Sequence, residues 1–192
     1  MFFARTPRIL HAIFPKWTWA LRDRDKQVYL TFDDGPCLET TAPLLDLLKA
    51  HNVAATFFCL GSAVDQHPDL FRRIIVEGHA IGNHTWSHVN GFKTPVAAYI
   101  EEAERCATRV DSHLFRPPYG RITPSQARAL RRKGYRIVMW TSLSGDYDPS
   151  LLPEACARNV LHGIKAGDIM VFHDSAKSRS NVLGALPEVI AD

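Results

Sequence analysis

The run Val28-Tyr29-Leu30-Thr31-Phe32 is almost wholly apolar, and Gly35-Pro36 follows it after two aspartates. Such a run reads as a buried strand closed by a turn. Comparable short runs recur at 27–33, 54–60, 79–83, 113–116, 135–141 and 168–173. Between them, stretches with helical spacing of apolar positions lie near 40–50, 68–77, 94–110, 123–133 and 150–165. Thr123-Pro124 and Asp148-Pro149 read as helix starts, a polar residue followed by proline. Lys133-Gly134 reads as a helix end. The alternation predicts an α/β fold, a parallel sheet or barrel of βα units. No repeat or linker divides the chain, so a single domain is expected over 27–192, preceded by an N-terminal extension over 1–26.

Composition fits this picture. The 192 residues are 46% hydrophobic and 22% charged, as in a globular protein with one sizeable core. The net charge is only +3 and there is no long Lys/Arg run. Arg131-Arg132-Lys133 reads as a solvated helix end, so nucleic acid is not an expected partner. Cys37, Cys59, Cys106 and Cys156 are too widely spaced for a zinc or redox motif and read as free thiols. Residues 1–20 are apolar but broken by Pro7, His11, Pro15 and Lys16, with no clean signal core and no span of transmembrane length. A cytoplasmic location is the expectation. Phe2, Phe3, Leu10, Ile13, Phe14, Trp17 and Trp19 either pack onto the domain, the preferred reading, or form a peripheral membrane contact.

Candidate chemistry gathers at the strand ends. Asp33 and Asp34 repel each other, so at least one needs a cation or a proton. His84 and His88 lie four apart in His84-Thr85-Trp86-Ser87-His88. On a helix that spacing puts both imidazoles on one face at metal-ligand distance. One carboxylate and two histidines make a facial three-ligand site with open positions, suited to a divalent metal that activates water. The residues alone do not rank the two aspartates. Asn83-His84, the run from Arg116 to Gly120, Trp140 with Asp146 after it, and His173-Asp174 also fall at strand ends. In βα barrels the carboxyl ends of the strands carry the active site.

Taken together, these residues resemble the polysaccharide deacetylase family, also called the NodB-homology domain or carbohydrate esterase family 4, over roughly residues 27–190. Thr31-Phe32-Asp33-Asp34-Gly35-Pro36 matches its first motif, His84 to His88 the second, Arg116-Pro117-Pro118-Tyr119-Gly120 the third, and His173 in Val171-Phe172-His173 the fifth. The resemblance implies a distorted (β/α) barrel of about six to seven parallel strands. It implies metal-dependent removal of N-acetyl groups from N-acetylglucosamine polymers, or of O-acetyl groups from xylan. Within it, Asp33 is the base and Asp34, His84 and His88 are the metal ligands. Arg116 orients Asp33, and the Tyr119 N–H joins the metal in stabilising the oxyanion. His173 is the general acid, Asp146 bonds it, and Tyr147 and Val171 line the acetyl pocket. The fourth motif departs from the family's Asp-x-x-Asp-Trp: here it is Leu143-Ser144-Gly145-Asp146-Tyr147. The chain also reads as ending in a helix over 187–192 where a seventh strand would usually follow. The barrel then stays open, or the N-terminal segment covers the gap, or the end is truncated.

Other residues carry plainer readings. Asn83 bonds a ligand histidine or shapes a turn. Trp86 packs beneath the site, Trp140 belongs to the core, and Asp174 caps the turn after it in preference to a catalytic role. His11, His51, His67, His79, His113 and His162 receive no role. The expected function is a metal-dependent hydrolase that removes N-acetyl groups from N-acetylglucosamine-containing oligo- or polysaccharides of chitooligosaccharide or peptidoglycan type. Zinc is the expected ion, with cobalt and nickel also suited, and an acetylated amino sugar is the expected partner. Two rivals stand beside it. One is the same site acting on an O-acetyl ester, a formylated lipid-linked sugar or a cyclic amide. The other is a non-catalytic carbohydrate-binding protein.

Overall fold

Alternation within β1 (Tyr29–Asp33) decides which side chains reach the interior of the sheet's curve. Leu30 and Phe32 join the apolar layer under the helices, with Leu44, Phe57 and Phe172. Thr31 and Asp33 point the other way, as a two-residue period requires. β7 (Ile169–His173) repeats the pattern, with Met170 and Phe172 toward the helices and Val171 and His173 inward. The strands pair in parallel, setting Asp33 opposite His173. The computed structural model describes residues 4–21 and 27–191.

The sheet is completed by β2 (Thr56–Cys59), β3 (Ala80–Asn83), β4 (Leu114–Phe115), β5 (Arg136–Ile137) and β6 (Ser142–Leu143), in the order β5-β4-β3-β2-β1-β7-β6. All pairings are parallel, which gives the expected distorted barrel with seven strands. Of the strand expected over 135–141, only β5 forms, and β6 follows just beyond that stretch. The carbonyls of Val138 and Met139 accept hydrogen bonds from the buried Arg116 guanidinium at 3.4 and 3.2 Å, which takes this stretch out of the sheet ladder. The seventh strand is thus β6, which falls outside the expected runs, and β5 and β6 form the two edges. The N-terminal segment bridges the gap: Thr18 pairs with Val138, Arg5 with Ser142 and Ala20 with Asp168.

Trp19 is buried, and Leu10, Phe14 and Trp17 pack onto the same cluster with Tyr99, Phe115 and Leu130. Ile13 is exposed instead, and Phe2 and Phe3 lie outside the described residues. No described helix is long and apolar enough to cross a membrane.

The helices are α1 (Arg8–Ile13), α2 (Leu38–Ala50), α3 (Gly61–Gln66), α4 (Pro68–Val76), α5 (Val96–Ala107), α6 (Pro124–Arg132), α7 (Pro153–Leu161) and α8 (Arg179–Ala191). α6 starts at Thr123 through a reciprocal capping box with Gln126, and Gly134 follows its end at φ 93°. Asp148-Pro149 does not start a helix. The Asp148 carboxylate accepts the Ser150 N–H and hydroxyl at 2.9 and 2.7 Å, forming an Asx turn, and α7 begins four residues after Pro149. α3 falls outside the expected helices, and α8 begins eight residues before the helix expected over 187–192.

Candidate active site

His84 and His88 do not share a helix. They lie in an irregular loop after β3, where Thr85 and His88 take positive φ angles of 68° and 59°. The loop nonetheless brings the rings to 5.2 Å between centroids. Asp34, at φ 83° just past β1, completes the cluster. One ligand atom from each of Asp34, His84 and His88 lies within 4.8 Å of the others.

The donor set fits a metal ion. Asp34 Oδ1 is buried without a hydrogen bond, 3.1 Å from His88 Nε2 and 3.5 Å from His84 Nε2. Lone-pair atoms this close repel unless a cation or proton lies among them. His84 Nδ1 is 2.8 Å from the Arg116 carbonyl, which can only accept, so Nδ1 carries the hydrogen and Nε2 presents its lone pair to the cluster. Burial pushes the Asp34 carboxyl up, but the adjacent histidines outweigh it and hold it well below the usual carboxylate range. One carboxylate with two imidazoles suits zinc and neighbouring divalent ions.

Beside this cluster, Asp33 is buried against Arg116, with Nη1 2.7 Å from Asp33 Oδ1. The same Nη1 reaches Thr31 Oγ1 at 2.7 Å, and the Thr31 hydroxyl donates to the Met170 carbonyl. The guanidinium is fully buried, 4.0 Å from the Phe58 ring centroid. Thr31 was not anticipated, though its position two before Asp33 on a strand puts both on one face.

His173 forms the opposite wall. Its Nδ1 lies 2.7 Å from Asp146 Oδ1, and its own N–H donates to Asp146 Oδ2 at 2.7 Å. Burial pushes this imidazole down, and the Asp146 charge and hydrogen bond more than reverse it, lifting it to about 9. Ser144, also not anticipated, donates to Asp146 Oδ1 at 2.9 Å, while Asn181 donates to the Asp146 carbonyl. Asn181 comes from a helix distant in sequence and carries no local signal. The altered fourth motif thus keeps its aspartate in place.

Asp33, Asp34, His84, His88, Tyr119, Tyr147, Val171 and His173 line one cavity of about 460 Å³. Arg116 and Asp146 stand behind its wall, each touching a lining residue. The Tyr119 N–H has no acceptor among the described residues, and its ring packs edge-on to His88 at 4.4 Å. Tyr147 meets His173 at 5.2 Å. Trp140 is a correction: it lines the cavity as well as packing against the core. Trp86 lies under the Arg105 guanidinium, 4.0 Å away, outside the cavity lining. Asn83 shapes a turn, accepting the Thr85 N–H and donating to the Ala103 carbonyl. Asp174 caps the turn after β1, not the one after itself, accepting the Gly35 N–H and the Thr41 hydroxyl.

A parallel βα sheet whose strand ends converge an Asp-His-His cluster, a buried Arg–Asp pair and an Asp–His pair defines a barrel enzyme with its site at the carboxyl rim. A family model for polysaccharide deacetylases matches residues 20–138, and the chain belongs to that family. It is 32% identical over 183 residues to a peptidoglycan-N-acetylglucosamine deacetylase of Bacillus cereus, covering 91% of this chain and 85% of that one. It is 37% identical over 175 residues to chitin deacetylase 2 of Saccharomyces cerevisiae, covering 84% of this chain but only 54% of the yeast protein. The crystal structure of the Bc1960 peptidoglycan N-acetylglucosamine deacetylase superposes with a TM-score of 0.89 at 31% identity, covering 97% of this chain and 89% of that one.

Proposed function

We propose that the protein is a zinc-dependent hydrolase that removes N-acetyl groups from N-acetylglucosamine-containing oligo- or polysaccharides. The observation that carries this reading is the convergence of a buried Asp33–Arg116 pair and a His173–Asp146 pair on one cavity beside Asp34, His84 and His88. The relatives named as peptidoglycan and chitin deacetylases support the substrate class.

Asp34, His84 and His88 would hold the ion, which when bound polarises a carbonyl and lowers the pKa of water. Asp33 accepts a proton from the attacking water. Arg116 holds Asp33 Oδ1 and keeps the carboxylate charged, which leaves Oδ2 for that proton. The unpartnered Tyr119 N–H donates to the developing oxyanion; Pro117 and Pro118 lack N–H groups and fix the approach of the chain. An amide nitrogen cannot leave as an anion, so His173 protonates it. Nδ1 is committed to Asp146, so the proton comes from Nε2. Tyr147, Val171, Leu143 and Trp140 give the acetyl methyl an apolar wall.

The test is acetate release from N-acetylglucosamine oligomers by metal-stripped protein, before and after zinc addition, beside zinc-loaded Asp33→Asn. Zinc should restore release, and the variant should lose about 10²–10⁴-fold. Zinc binding without release from any oligomer would move the reading to another acyl substrate or to a binding protein.

A further inference from the structure

We infer that the protein docks on anionic membrane surfaces through a face built from α1 and α6, with Ile9 and Ile13 entering the headgroup layer and Lys16, Arg128 and Arg131 meeting lipid phosphates. This face lies outside the catalytic cavity and takes no part in the chemistry proposed above.

Charge is spread unevenly along the chain. Residues 1–22 contain four Lys/Arg and residues 112–145 contain seven, and neither segment contains an Asp or Glu, so all 20 acidic residues lie elsewhere. The fold puts these two segments together. Thr18 pairs with Val138, and Leu10, Phe14 and Trp17 pack with Ala127 and Leu130. Ile13, Lys16, Arg128 and Arg131 then line one cleft of about 350 Å³. The three cations are exposed, and among the described residues none has a carboxylate partner. The net charge of +3 hides this basic face.

The isoleucines decide what the face meets. α1 packs Leu10 on the domain, while Ile9 and Ile13 stay 67% and 57% exposed. Four residues apart on a helix, they share one side of it. Apolar side chains exposed beside a cation cluster are the pattern of a helix lying in a membrane interface. A soluble polyanion would neutralise the cations but leave the isoleucines in water. A second copy presenting the same face would meet it with like charge. An anionic bilayer satisfies both features, with phosphates for the cations and an acyl boundary for the isoleucines. Each Lys or Arg near such a surface raises partitioning about fivefold, an effect that salt screens.

The test is sedimentation of the full chain with vesicles of phosphatidylcholine, alone or mixed with phosphatidylglycerol, at about 20 mM and about 0.5 M salt. At low salt the chain should bind the mixed vesicles at least about tenfold more tightly than the neutral ones, and high salt should remove most of that preference. Lys16→Gln/Arg128→Gln/Arg131→Gln should weaken binding about 10²-fold. Ile9→Ser/Ile13→Ser should weaken it about tenfold. All five positions are exposed, so both variants should keep the native melting temperature. The two are scored separately, and a fold defect in one leaves the other decisive. No binding to mixed vesicles at low salt, equal binding to both vesicle types, or native binding by either variant overturns the proposal. Soluble polyphosphate that binds as tightly as the mixed vesicles, and equally well to Ile9→Ser/Ile13→Ser, would make the face a polyanion site and overturn it too.

Discussion

Asp174 occupies the space where any side chain at residue 35 would begin. Its Oδ1 accepts the Gly35 N–H at 2.8 Å, and a Cβ on residue 35 would fall 1.9 Å from its Oδ2. Thr41 donates to the same carboxylate at 2.7 Å, and the Asp174 N–H donates to the Asp33 carbonyl. The end of β7 thereby clamps the loop that presents Asp34. Gly35→Ala is expected to cost about 1–3 kcal/mol of stability and to weaken zinc binding, as read by thermal melting and metal titration. A native melting temperature with native zinc affinity would show that the loop does not need this clamp.

Burial lifts the Asp174 carboxyl to about 7; the Thr41 hydrogen bond opposes the rise and the nearby Asp34 charge adds to it. The folded chain therefore keeps a proton that the unfolded chain releases near its ordinary value. Between those values the folded state binds more protons, so this group's contribution to stability falls as pH rises toward about 7. Asp174→Asn mimics the protonated acid and cannot ionise, so it should flatten that fall. Urea unfolding from pH 4.5 to 8 checks this, and identical slopes in both proteins would assign the dependence to other groups.

Arg116 and Asp33 are both buried, so each depends on the other to stay charged. Arg116→Met should destabilise by about 3–5 kcal/mol, because it leaves an uncompensated buried carboxylate. Arg116→Met/Asp33→Asn should recover part of that loss. If the double variant is no more stable than the single one, the cost lies in the guanidinium's other bonds to Thr31, Val138 and Met139.

His173 must be protonated to act as an acid, and its imidazole sits at about 9 because Asp146 outweighs burial. The alkaline limb of kcat/KM should fall near that value. Asp146→Asn removes the charge and lets burial dominate, so the limb should move to lower pH. Activity at pH 8 should then drop more than tenfold, and at pH 6 much less. An equal loss at both pH values would make Asp146 a scaffold for the loop rather than a tuner of His173.

Much of this was already legible in residue types and their order. Apolar runs alternating with helical stretches dictated a parallel βα fold, because those patterns bury one way in strands and another in helices. Asp33-Asp34, His84, His88, Arg116, Asp146 and His173 stood out because ionisable residues at the ends of apolar runs need a reason to be there. What the chain alone could not reveal was non-local. The two histidines meet through positive-φ loop residues, not helical periodicity. The strand expected over 135–141 stops at Ile137, just before Val138 and Met139, whose carbonyls the Arg116 guanidinium takes. Asp174 serves a turn 139 residues away, and Asn181 supports Asp146 from 35 residues on. Local pattern follows from backbone geometry and burial and is written in neighbouring residues. Hydrogen-bond partners chosen across the barrel depend on the strand order, which exists only once the sheet has curled.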